Sequence, residues 1–258
     1  MYKVINMSSQ EEAFNLVKEN STFTNKNTNT NSRWKNFIDA VYVIYIEDDT
    51  IDQINLNLKS QGLDDIVIYF KSAPLRSIKQ NYFTRNISLA GCHVSHTLCA
   101  EHALENDYKH ILILEEDCCF NKYITDNEIN KLIELRNNHN PLMINLGPPS
   151  DMGFTNKSEF NIVRKPSPLT HFIYLNKEGM SKLLNTKIYP PPEKVLYNKR
   201  AGHSVKYCYF GADDFWMCFT DHYTLEVPDE SALACQYNPT GRSRNLGLKT
   251  NFINYDKL

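Results

Sequence analysis

The sequence has no Cys-x-x-Cys pair, no apolar run approaching a membrane span, no excess of either charge and no internal repeat. Each absence removes a class of protein. The seven cysteines, at 92, 99, 118, 119, 208, 218 and 235, are odd in number and scattered, which argues against a disulfide framework or a zinc ribbon and leaves reduced thiols as the expectation. A span needs roughly 18 or more consecutive apolar residues, so no integral membrane segment is expected. The opening MYKVINMSSQEEAFNLVKEN holds no apolar stretch of signal-peptide length, and the chain reads as cytoplasmic. With 28 Lys and Arg against 30 Asp and Glu, no net field draws in nucleic acid or an anionic membrane. Hydrophobic residues at 41% and charged at 22% are ordinary globular values, and 258 residues can bury a sizeable core.

What is present is an alternation of strand-like and helix-like segments. Residues 8–19 place Ala13, Phe14, Leu16 and Val17 at helical spacing, and the Asn/Thr-rich tract to Ser32 reads as a flexible connector. This divides the chain into an N-terminal helix and connector, 1–35, and a main domain, 36–258. Asp39–Ile46 reads as a buried strand, Glu47, Asp48 and Asp49 open a helix that Gly62 ends, and Ile66–Phe70 reads as a second strand. Together they form a β-α-β unit. A helix over 88–106 puts Leu89, Cys92, His96, Cys99 and Ala103 on one face. A helix over Asp126–Asn138, a strand over Leu142–Leu146, a strand over His171–Leu175, a helix over Lys177–Leu184 with Gly179 tolerated inside it, and a last strand at Thr224–Val227 follow. The predicted class is α/β, a Rossmann-like arrangement around a mixed, mostly parallel sheet.

The chemistry concentrates in His110–Phe120, where the apolar run Ile111-Leu112-Ile113-Leu114 meets Glu115-Glu116-Asp117. Carboxylates beside a core strand must emerge at its carboxyl end or find a cation, and in open α/β sheets that end is where ligands bind. The triplet is therefore either a solvated loop start or a grip for a hard divalent ion such as Mn2+ or Mg2+. A second acidic pair, Asp213-Asp214, stands among Phe215, Trp216 and Tyr209; it reads as a helix start or as a general base. A metal on a leaving diphosphate and a carboxylate taking the proton of an attacking hydroxyl are the two needs of sugar transfer from a nucleotide sugar.

Gly91-Cys92-His93-Val94-Ser95-His96 followed by Ile111-Leu112-Ile113-Leu114-Glu115-Glu116-Asp117 resembles the paired signature of glycosyltransferase family 25, the lipopolysaccharide and collagen galactosyltransferase group. Val41-Tyr42-Val43-Ile44, Thr170-His171-Phe172-Ile173-Tyr174-Leu175 with Lys177-Glu178-Gly179, and Ala212-Asp213-Asp214-Phe215 extend the likeness over about Asp39 to Tyr237. The resemblance implies a GT-A-type fold, a UDP-sugar donor, a hydroxyl acceptor on a glycan or protein, an inverting reaction and a divalent cation, Mn2+ or Mg2+. It places Asp117 and Glu115 on the metal and diphosphate positions and Asp213, with Asp214 beside it, on the base; Ser95 and His96 fall near the donor. The chain departs from the family in carrying Glu47-Asp48-Asp49-Thr50 where an Arg-rich segment is usual, and Glu116 where the middle acid is usually Asp.

Other readings stay open at this stage. His96 is a core histidine or a donor-site group; Cys92 and His96, an i, i+4 pair, make a zinc site only if Cys99 joins them. Arg242 and Arg244 belong to a solvated tail or clamp a diphosphate. For the whole chain, a nucleotidyltransferase and an inactive carbohydrate-binding scaffold compete with the transferase.

Overall fold

The computed structural model describes residues 7–28, 32–74, 87–120, 123–147, 161–164, 170–185, 196–198, 203–205, 222–226 and 233–236. Asp213, Asp214, Phe215, Trp216, Tyr209, Arg242, Arg244 and the Pro190-Pro191-Pro192 run lie outside these residues.

Two strands form the middle of the sheet because their side chains are apolar on both faces. They are β2 (Ala40–Tyr45), buried at every position, and β4 (His110–Glu115), buried from Ile111 to Leu114. β2 pairs in parallel with β3 (Val67–Lys71) on one side and with β4 on the other. Between β2 and β3 the acids Asp48 and Asp49 sit in a short 3-10 turn, and α2 (Ile51–Gln61) follows. Gly62 closes α2 at φ 66°, where its N–H donates to the Leu58 and Lys59 carbonyls; a left-handed cap of this kind favours glycine. The chain then returns across the sheet through α3 (Ile87–Glu105) to reach β4.

Beyond β4 the sheet turns mixed. β8 (Phe172–Asn176) runs antiparallel to both β4 and β6 (Met143–Asn145), β11 (His222–Glu226) is parallel to β6, and β7 (Asn161–Val163) closes the edge antiparallel to β11. The order is β1-β3-β2-β4-β8-β6-β11-β7, with β1 the strand Thr22–Asn25. β2, β3, β4, β6 and β11 share one direction, so the sheet is mixed as expected, but it is not mostly parallel: three of its seven strand pairs are parallel and four antiparallel, because β1, β7 and β8 run the other way.

Two further corrections concern the sequence reading. Thr22–Asn25, read from composition as flexible connector, is an edge strand paired antiparallel with β3, so residues on both sides of position 35 belong to one sheet. Thr22, Phe23 and Thr24 favour a strand where Asn25 does not, and pairing with the buried Val67–Phe70 fixes it. Gly179, read as merely tolerated in α5 (Lys177–Asn185), is required: a Cβ there would run into the Leu142 carbonyl, with its carbon 2.9 Å away.

Alternation along the strands separates two cores. Val41, Val43, Leu112 and Leu114 face Trp34, Phe37, α2 and α4 (Asp126–His139), whose start is fixed by a capping box between Thr125 and Glu128. Tyr42, Ile68, Ile111 and Ile113 face α1 (Met7–Asn20) through Phe14 and Val17, α3 through Leu98 and Cys99, and α5 through Met180 and Leu183. Among the described residues, no helix is long and apolar enough to cross a membrane.

Candidate functional site

The strand order reverses between β3 and β4, one on each side of β2, and the crevice outside the carboxyl ends of such strands is where ligands bind in open α/β sheets. Glu115, Glu116 and Asp117 stand at that place, between the end of β4 and β5 (Cys118–Phe120), an added short strand that pairs with β12 (Ala234–Gln236). Cys118 and Cys119 are buried, filling space beside the strand end as their apolar character implies.

The three acids leave the backbone toward different partners. Glu115 follows Ile111 and Ile113 onto the α3 face. Its Oε1 accepts from Thr170 Oγ1 at 2.6 Å and from Cys92 Sγ at 3.4 Å, and lies 3.1 Å from His96 Nε2. Crowding by protein raises the Glu115 carboxyl, but the bonds and charge of His96, the bond from Thr170 and the charge of His171 outweigh it and bring it down to about 2. Glu116 turns toward β2, where its Oε2 accepts from the Ile46 N–H at 2.9 Å. Burial raises it; the Ile46 bond opposes, and the charges of Glu115 and Glu47 add to the rise.

The carboxyl of Asp117 receives a bond from its own backbone N–H alone among the described residues. Its Oδ1 is shielded from solvent without a hydrogen-bond partner among the described residues, although the residue as a whole keeps partial exposure. Burial first, then the charges of Glu115 and Glu116, push its carboxyl well above the usual range. Among the described residues no lysine or arginine pairs with Asp117 or Glu116. A shielded carboxylate oxygen beside two further acids is a hard donor short of positive charge, which suits Mn2+ or Mg2+.

The remaining sequence candidates are placed as follows. Ser95, expected near the donor, is 2% exposed; its Oγ donates to the Gly91 carbonyl at 2.8 Å and meets Ser72 Oγ at 2.7 Å, so it fastens α3 to the end of β3. His96 is fully buried and is a partner of Glu115, with Nδ1 unpartnered among the described residues. Cys99, which a zinc set with Cys92 and His96 would have needed, lies in the apolar core, where burial drives its thiol up; Glu115 occupies the position by Cys92 and His96 instead. Asp213, Asp214 and Arg242 fall outside the described residues. Thr170 was missed as a site residue, and no local pattern marks it, since it reaches Glu115 only through the antiparallel placement of β8.

No protein-family model matches the chain, and no curated protein matches it. Among solved structures, the crystal structure of A197 from STIV is similar with a TM-score of 0.35 and 14% identity, over 77% of this chain and 94% of that one. A similarity at that level does not set the fold of this chain; its own strand order does.

Proposed function

We propose that the chain is a metal-dependent glycosyltransferase of GT-A type that moves a hexose, galactose or glucose, from a UDP-sugar to a hydroxyl of a glycan or protein acceptor. The observation that carries this reading is the shielded, unpartnered Asp117 Oδ1 at the switch point of the sheet, at the end of a run of three acids. The signature shared by Gly91–His96 and Ile111–Asp117 adds the chemical class.

In this reading Asp117, in the turn after β4, is the main cation ligand, helped by Glu115 at the end of the strand. Held there, Mn2+ or Mg2+ would supply Lewis-acid charge to a departing diphosphate. Glu116, tied to the Ile46 N–H, holds the turn from β2 against the acid end of β4 and adds negative charge that the cation offsets. By the family likeness Asp213 takes the acceptor proton, with Asp214 beside it.

The test is product analysis with a panel of UDP-sugars and Mn2+. Free UDP together with a glycosylated acceptor supports the proposal, and Asp117→Ala should abolish both while near-UV circular dichroism is unchanged. Release of pyrophosphate when UTP and a sugar 1-phosphate are supplied in place of UDP-sugars would assign a nucleotidyltransferase instead, and full activity of Asp117→Ala would reject the cation role.

A further inference from the structure

We propose that Cys92, His96 and Glu115 form a second, softer metal site, of the class that takes Zn2+, on the α3 side of β4. It goes beyond the transferase reading and needs no nucleotide.

Cys92 and His96 project from adjacent turns of α3, and Glu115 reaches them from the strand below, with Sγ, Nε2 and Oε1 all within 4.8 Å of one another. Around a tetrahedral zinc, bond lengths of about 2.0–2.3 Å put donor atoms roughly 3.3–3.6 Å apart. The observed 3.1 Å between His96 Nε2 and Glu115 Oε1, and 3.4 Å between Cys92 Sγ and the same oxygen, match that spacing to a few tenths of an ångström. Thiolate, imidazole and carboxylate together favour a borderline-soft ion over the all-oxygen shell that Mg2+ demands.

The surroundings are those of a held ligand set. His96 is fully buried, so its ring is fixed by packing. Thr170 Oγ1 donates to Glu115 Oε1 at 2.6 Å, the kind of outer bond that orients a ligating carboxylate. Glu115 retains 22% side-chain exposure, and three protein donors leave a fourth position for water or a ligand, as in zinc sites that are not closed. On binding, the Cys92 thiol gives its proton to solvent and the imidazole coordinates through the Nε2 lone pair, its proton resting on Nδ1.

The test uses the full chain, reduced and stripped of metal by a chelator, titrated with Co2+ alone. One equivalent should bind with a thiolate-to-cobalt charge-transfer band that Zn2+ removes. Cys92→Ser should lose the band, and His96→Gln should weaken binding at least tenfold, the lower end of what supporting residues alone contribute. Should a variant misfold by circular dichroism, the wild type decides: Zn2+ should slow alkylation of Cys92, mapped by mass spectrometry, relative to the other cysteines. A band that survives Cys92→Ser, cobalt binding without the band, or Cys92 alkylation indifferent to Zn2+ would overturn the site. Absence of turnover with every UDP-sugar would leave it standing, so the two proposals fail separately.

Discussion

The two ends of β4 solve the same problem in opposite ways. At its amino end, Asp39 Oδ2 accepts from the Lys109 and His110 N–H groups at 2.7 and 2.9 Å, and His110 Nδ1 meets the Tyr174 hydroxyl at 2.7 Å. Close by, Asn176 Oδ1 accepts from the Gly179 N–H at 2.7 Å and caps α5. Every one of these groups has a partner within the fold. At its carboxyl end the strand releases three carboxylates with no lysine or arginine among the described residues, one of them holding a shielded oxygen without a bond. A buried polar group left unsatisfied costs about 1–3 kcal/mol, more when charged, so the fold carries that cost where a ligand can offset it. The amino end pairs its polar groups within the fold, whereas the carboxyl end leaves one oxygen that the proposed cation would pair.

That contrast breaks most visibly at Asp117. Removing its charge with Asp117→Asn should weaken Mn2+-linked UDP binding at least about a hundredfold, since even residues supporting a ligand contribute up to that much. Its stability should not fall. A carboxyl raised by folding contributes most below its unfolded value of about 3.9, and that contribution is lost as pH rises through the higher folded value; at neutral pH the charge therefore opposes folding. A lower melting temperature for Asp117→Asn at pH 7 without metal would blur the distinction between the ends.

At the opposite end the effects should reverse. Gly179→Ala drives a methyl group against the Leu142 carbonyl and should cost about 3 kcal/mol of stability in a denaturant titration, the upper part of the overpacking range, with metal affinity per folded molecule unchanged. Tyr174→Phe deprives His110 Nδ1 of its partner and should cost about 1 kcal/mol, read the same way.

The smallest effect is a pH dependence. Burial lowers both His102, whose Nδ1 meets the Tyr42 hydroxyl at 2.8 Å, and His110, where Arg136 adds to burial. The unfolded chain therefore takes up protons first as pH falls, so their contribution is intact above about 6.5 and declines below it toward the folded values. Glu115, lowered to about 2, contributes nothing to that window because its loss begins only below the ordinary carboxylate range. The raised Asp117 and Glu116 act in the opposite sense over the same range, so the histidine contribution is read as a difference: the gap in melting temperature between the wild type and a His102→Gln, His110→Gln variant should narrow by a few degrees from about pH 7 to about pH 5, and a gap that does not change with pH would contradict the burial of these two rings.

Much of the fold could be read from the chain because buried strands announce themselves as continuous apolar runs. Ala40–Tyr45 and Val67–Lys71 lie within a residue of expectation, and Gly62 ends α2 as its φ requires. The short strands were not readable: Asn161–Val163 and Cys118–Phe120 hold their conformation through partners distant in sequence, β11 and β12. Nor does any local pattern place β8 antiparallel between β4 and β6. The acid triplet lies at the carboxyl end of β4, as the apolar run before it implies. The split within it was missed, although period-two alternation through Ile111 and Ile113 already assigns Glu115 to the α3 face, opposite Cys92 and His96. Helical spacing puts Cys99 on that face as well, without saying how deep it lies.

The most direct measurement is a calorimetric titration of the full chain with UDP, in the presence and absence of Mn2+, for the wild type and Asp117→Asn. UDP should bind the wild type only with the ion present, and the variant should lose that dependence together with the affinity. UDP binding of equal strength with and without Mn2+, or binding that Asp117→Asn leaves intact, would contradict a cation held at the carboxyl end of β4.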